Sequence, residues 1–129
     1  MVSLSGLRPN NWYINRCKLA SVRKAWSEGL EDELPPVLIT EIDGELALID
    51  GHSRAYAAHE NDSSSIAAEY RHLSEIEGDS RLYIHIHRAG PGRGIRTIAD
   101  LADRIVSPAE HRRLWIGYCQ GWLAEHGTA

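Results

Sequence analysis

The stretch PPVLITEIDGELALIDGHSRAYAA, residues 35–58, decides how this chain is read. Two apolar, β-rich runs flank Asp43-Gly44. That pair suits a two-residue type I′ hairpin turn, because both central residues of such a turn need positive φ. Gly51 then breaks the second run, and HSRAYAAHE, residues 52–60, has the alanine content of a short helix. A hairpin followed at once by a helix places Asp50 to Arg54 where a strand gives way to a helix N-terminus.

Working outward, INRCKLASVRKAWSEG places Leu19, Val22 and Trp26 on one helical face, with Asn15 as N-cap and Gly29 as stop. NDSSS reads as a loop and IAAEYR, residues 66–71, as a third core strand. RLYIHIHR fits either an alternating strand or a helix. The helix is favoured: Asp79 can cap it, His85, His87 and Arg88 suit its negative end, and Gly90 can close it. GPGRG is a loop. Thr97 with Asp100, and Ser107 with Pro108 and Glu110, mark two further helix starts. Trp115, Tyr118 and Trp122 form the apolar stripe of the last helix and are expected to pack against the sheet. The class is α+β, a single domain with a core over residues 1–75 and a helical C-terminal extension over 76–129.

Bulk properties agree with one domain. The chain has 129 residues, 43% apolar and 25% charged, which is enough for a single core. No run reaches the ~18 apolar residues of a membrane span, and MVSLSGLRPNN lacks the pattern of a secretory leader. A cytoplasmic protein without membrane partners is expected. Cys17 and Cys119 fit neither a disulfide framework nor a zinc spacing, so no role is expected for either thiol. A formal charge of −4 argues against a protein that coats nucleic acid.

Chemistry is expected at residues 50–54. The first N–H groups of a helix lack intrahelical partners, and the helix dipole adds positive charge there, so an anion is favoured. Gly51 would let a ligand approach the backbone, Ser53 could donate its hydroxyl, and Arg54 could grip a phosphate or carboxylate with its planar fork. Asp50 could orient His52, bind a cation or act as a base. The bland alternative is that Asp50 caps the helix and Arg54 is a solvated charge.

The hairpin followed by IDGHSRAYAA resembles the core motif of the ParB/sulfiredoxin-like superfamily, and LRPNNWYINRCKLASVRKAWSEGLEDELPPVLIT is similar to that family's opening. The resemblance covers roughly residues 4–72; residues 79–125 resemble the helical tail of a bacterial branch of ParB-like proteins. It implies a small sheet-and-helix core that binds nucleotide phosphates at a glycine-containing helix start, here Gly51, His52, Ser53 and Arg54. Sulfiredoxins carry a catalytic cysteine after the glycine, where this chain has His52, so thiol chemistry is not expected. Segregation proteins carry Gly-Glu-Arg-Arg and bind CTP; this chain keeps only Gly51 and Arg54 of that motif. Free-serine kinases carry Asp-Gly-His-His-Arg, which Asp50, Gly51, His52 and Arg54 match. Their glutamate after the first strand falls at Asn11, which cannot serve as a general base.

The functional expectation is a phosphorylated small molecule at Asp50 to Arg54: a nucleotide such as ATP, ADP or CTP with Mg²⁺. Asp50, His52 and Glu41 are the candidates for any phosphotransfer or hydrolysis. The competing class is a non-enzymatic DNA-segregation or regulatory accessory module that acts through protein or DNA partners. His85 and His87 would share a face on a strand but point ~200° apart on a helix, so no joint metal site is expected. TIADLADRIVSPAEHRRLW outlines a helix-turn-helix with His111, Arg112 and Arg113 early in its second helix. Its turn lacks the frequent glycine, and it is read as packing, not DNA recognition.

Overall fold

Asp43 and Gly44 both take positive φ, 54° and 77°, as the type I′ turn requires. They join Val37–Ile42 to Glu45–Asp50 as an antiparallel pair at the centre of the sheet. The computed structural model describes residues 1–127. In chain order the elements are β1 (Val2–Ser3), β2 (Leu7–Pro9), β3 (Ile14–Asn15), α1 (Arg16–Ser27), β4 (Val37–Ile42), β5 (Glu45–Asp50), α2 (His52–Glu60), β6 (Ser65–Ile66), β7 (Ala68–Tyr70), α3 (Ser80–Ala89), β8 (Ile105–Val106), α4 (Pro108–His111) and α5 (Gly117–His126). A 3₁₀ helix spans Ile98–Arg104, and a π-helical stretch, Arg112–Ile116, joins α4 to α5.

The main sheet has the order β2-β5-β4-β7. β2 and β7 add in parallel on either side of the hairpin, so the class is α+β. Directly paired residues share a face of the pleat. Leu7, Leu46, Pro9, Leu48 and Ile39 therefore point one way, into a core shared with Leu19 of α1 and Ala55 to Ala58 of α2. Arg8, Ala47 and Thr40 point the other way and lie under α3. Two bonds fasten that helix: Arg8 Nη2 donates to the His87 carbonyl at 2.7 Å, and Asn10 Nδ2 donates to that of Tyr83 at 3.0 Å.

Local signals place the helices. The Asn15 side chain caps α1 by accepting from the N–H groups of Cys17 and Lys18. Asp79 caps α3 by accepting from Arg81 N–H at 2.9 Å. The capping boxes at Thr97/Asp100 and Ser107/Glu110 both form.

Three expectations need correction. Residues 66–71 make two short strands instead of a core strand: β6 pairs with β1 and β7 is the exposed edge of the main sheet. The helix starting at Thr97 is 3₁₀ throughout and stops at Arg104, because Ile105 and Val106 extend to pair in parallel with Ile14 and Asn15. The aromatic stripe packs on α3 and Trp12 instead of the sheet: Trp12 lies 5.3 Å from Trp115 and 5.0 Å from Tyr118, and His85 stacks on Trp122 at 5.2 Å. Core and C-terminal extension share one buried cluster, which runs from Leu4 to Trp115.

Candidate functional site

Asp50 ends β5, and Gly51 turns the chain with φ of 102°. A Cβ at residue 51 would lie 2.6 Å from Val37 Cγ1 and 3.1 Å from Arg54 Nη2. Gly51 thus seats the turn against β4 while also lining the cleft described below. The first helical bond of α2 runs from Ala55 N–H to the Gly51 carbonyl at 2.9 Å. The N–H groups of His52, Ser53 and Arg54 precede it, and no side chain caps them. Asp50 is therefore not the cap. Its Oδ2 lies 3.2 Å from Arg54 Nη2, and it does not bond His52.

Arg54 is neither a free fork nor a solvated charge. Its Nη1 donates to the carbonyls of Pro35 and Pro36 at 2.8 and 2.9 Å, while Nη2 meets Asp50. Most of its hydrogen-bonding capacity ties the start of β4 to the start of α2. His52 is 7% exposed, and its Nε2 accepts from Asn10 N–H at 3.0 Å. Burial pushes its pKa down to about 4, against the opposing pull of the Asp50 charge and the Leu48 carbonyl. The ring is neutral at pH 7, and the nitrogen a base would use is already engaged. Glu41 lies elsewhere: the register sets it opposite Leu46 near the hairpin turn, whereas Asp50 sits opposite Leu38 at the far end.

A cleft of about 280 Å³ opens at this turn. The walls are Asp50 to Arg54, Asn11 and Tyr13 from the β2–β3 connection, Lys18 on the first turn of α1, and His111 at the end of α4. Burial, followed by the Lys18 charge, lowers the His111 pKa from its ordinary value. Lys18 and His111 are the residues that sequence reasoning missed as site members. Their elements were legible through the caps at Asn15 and Ser107, but their meeting depends on the two-residue pairing of β3 with β8. Among the described residues, Asp50 is the one carboxylate that lines the cleft, and no three metal-ligating side chains cluster. Across Arg54 lies a second hollow of about 210 Å³, lined by Trp26, Leu34 and Ile66 among others.

The two histidines of α3 are held apart. His87 is 2% exposed and meets Glu45 at 3.0 Å; His85 meets the Tyr118 hydroxyl at 2.6 Å. Both cysteines are free thiols outside the cleft, and burial raises the pKa of Cys119 to about 11.

No protein-family model matches the chain, and no curated protein matches it. Among solved structures, it resembles the crystal structure of protein Atu1540 from Agrobacterium tumefaciens with a TM-score of 0.56 and 19% identity. The match covers 88% of this chain but 66% of that protein, just under two thirds of its length. At that identity the likeness is one of fold. Among the described residues, no helix is long and apolar enough to cross a membrane.

Proposed function

We propose that the cleft binds the phosphate groups of a small molecule, a nucleotide in the first instance, as part of a binding module. The observation that carries this reading is the uncapped row of N–H groups at His52, Ser53 and Arg54, which faces the same cleft as Lys18. Orphan helix donors and a lysine ammonium together favour an oxyanion. Arg54 is shared between this cleft and the apolar hollow beside Trp26. A ligand anchored by phosphate thus has a place next door for a nucleobase. The resemblance of Asp50, Gly51, His52 and Arg54 to nucleotide-handling motifs points the same way.

Binding without turnover fits the local chemistry better than phosphotransfer. His52 has its Nε2 occupied, Asp50 is paired with Arg54, and Asn11 carries no basic group. Calorimetric titration of ATP, ADP and CTP, with and without Mg²⁺, tests the reading. Lys18→Met should weaken binding roughly tenfold to a hundredfold, the worth of a charge-assisted bond. Lys18 is the better probe than Arg54, because it is exposed and Arg54 also holds the proline carbonyls. No heat from any nucleotide with folded protein would end the nucleotide reading.

A further inference from the structure

His111 lines the cleft but has no part in the reading above. It closes α4, is anchored beside α1 through the β3–β8 pairing, and is followed directly by the π-helical stretch Arg112–Ile116. Such a stretch is rare and is common beside functional residues. The groups around it come from every neighbouring element. Lys18 belongs to α1, Tyr13 precedes β3, and Asp50, His52 and Arg54 come from the β5–α2 turn. On its own helix Glu110 turns back to accept from Ser107 N–H at 3.3 Å, with Arg16 and Arg113 acting on its charge.

Most of these groups offset one another. Arg54 and Asp50 form a pair at 3.2 Å, and His52 is neutral at pH 7 with its pKa near 4. What remains facing the cleft is the Lys18 ammonium, a helix N-terminus equivalent to roughly half a charge, and the imidazole of His111. At neutral pH that leaves about +1.5, and a proton on His111 raises it to about +2.5. A doubly charged oxyanion outweighs the first value by about half a charge and so favours a proton on His111, whereas a singly charged one leaves the cleft positive and does not. We infer that His111 takes up a proton when the cleft binds a doubly charged oxyanion, and so selects terminal phosphate groups over singly charged phosphodiesters. This rests on the phosphate-binding reading of the cleft.

The free protein is poised for it: burial and Lys18 keep His111 neutral where an ordinary histidine would already titrate. An anion reverses the sign of the local field and raises the pKa. By linkage, affinity must then rise as pH falls through that interval.

Sulfate is the probe of choice, because it stays doubly charged from pH 5 to 8 in this experiment by its own chemistry (its second ionisation lies at about pH 2, far below the His111 range). Calorimetry in buffers of different ionisation enthalpy counts the protons taken up. The expected result is uptake of about one proton and roughly tenfold tighter sulfate binding at pH 6 than at pH 8. Dimethyl phosphate, singly charged, should bind more weakly and without that pH dependence. His111→Gln should abolish the uptake, whereas Lys18→Met should weaken binding yet keep uptake, moved to higher pH. The His111 imidazole followed by NMR in the wild type gives a second measure, with its titration moving up on sulfate addition. Sulfate binding that is flat with pH, or uptake that persists in His111→Gln, overturns the role of His111 while leaving the phosphate site standing. No binding of sulfate or nucleotide at any pH overturns both.

Discussion

The backbone N–H of Asn10 donates to Nε2 of His52 at 3.0 Å, joining the end of β2 to the first turn of α2 inside the core. The same N–H also donates to the Leu48 carbonyl at 3.0 Å, and a nitrogen that accepts it carries no proton, so the folded state favours the neutral ring. The unfolded chain takes up this proton near pH 6.5, the folded protein near pH 4. Between those values the unfolded state binds more protons, and stability falls as pH falls. The full difference is on the order of 3 kcal/mol, lost across that window and constant below it. Denaturant unfolding at pH 7, 5.5 and 4 should show the loss in wild type. His52→Gln, less stable at pH 7, should lack most of the slope.

Gly51 provides the second prediction. Alanine there must hold φ near 102° and place its Cβ 2.6 Å from Val37 Cγ1. The strain and the clash together should cost about 2–4 kcal/mol. Gly51→Ala combined with Val37→Ala should remove the Cγ1 clash but keep the strained φ and the 3.0 Å contact with the Cβ of residue 37, so the double variant remains less stable than Val37→Ala alone. Equal stability of those two would mean that the backbone conformation costs nothing.

How much of this was legible in the sequence follows the range of each signal. Local chemistry read true: Asp43-Gly44 gave the hairpin turn, and Asn15, Asp79, Thr97 and Ser107 each cap where expected. The Asp50 to Arg54 turn does stand at a helix start, but the partners of its side chains lie outside the local pattern. Arg54 reads as an anion fork because the carbonyls of Pro35 and Pro36, 19 and 18 residues away, cannot be seen in a local pattern. Lys18 and His111 were invisible as site residues for the same reason: they meet through a two-residue parallel pairing between segments about ninety residues apart. Ile105-Val106 carries no strand signal longer than a dipeptide, so nothing local marks the end of the helix before it.

A third prediction separates two glutamates on the hairpin. Glu45 accepts from Arg8 Nη1 at 2.8 Å and meets His87 Nε2 at 3.0 Å. Bonding to His87, then Arg8, keeps its carboxyl below the usual range. Glu45→Ala leaves a buried imidazole and a largely buried guanidinium short of a partner, at a cost of about 1–3 kcal/mol. Glu41 is exposed near the turn, and Glu41→Ala should stay within about 0.5 kcal/mol of wild type. Urea midpoints compare the two directly. Nucleotide or sulfate affinity should be unchanged in Glu41→Ala, because the strand register keeps it away from Asp50.

The last prediction concerns the docking of α5. Its aromatic face forms a ladder on α3: Trp122 stacks on His126 at 4.0 Å and on His85 at 5.2 Å, and His85 bonds the Tyr118 hydroxyl at 2.6 Å. Arg93 lies over Tyr118 and Trp12 at 5.0 and 4.5 Å. Burial, then the charges of His126 and Arg93, lower the His85 pKa. Protonating His85 therefore puts a part-buried cation near the Arg93 guanidinium, so acid should loosen the ladder. The sign is fixed by the direction of the shift: the undocked helix leaves His85 easier to protonate, and docking is lost as pH falls below 6.5, the ordinary histidine value. Amide exchange in α5, corrected for its intrinsic pH dependence, should accelerate between pH 7 and 5 relative to the β4–β5 hairpin. His85→Phe keeps an aromatic ring without a titrating group and should remove that acceleration, whereas Trp122→Ala should speed exchange at both pH values. Protection of α5 that does not change with pH in wild type would show that His85 stays neutral, and the ladder intact, throughout that range.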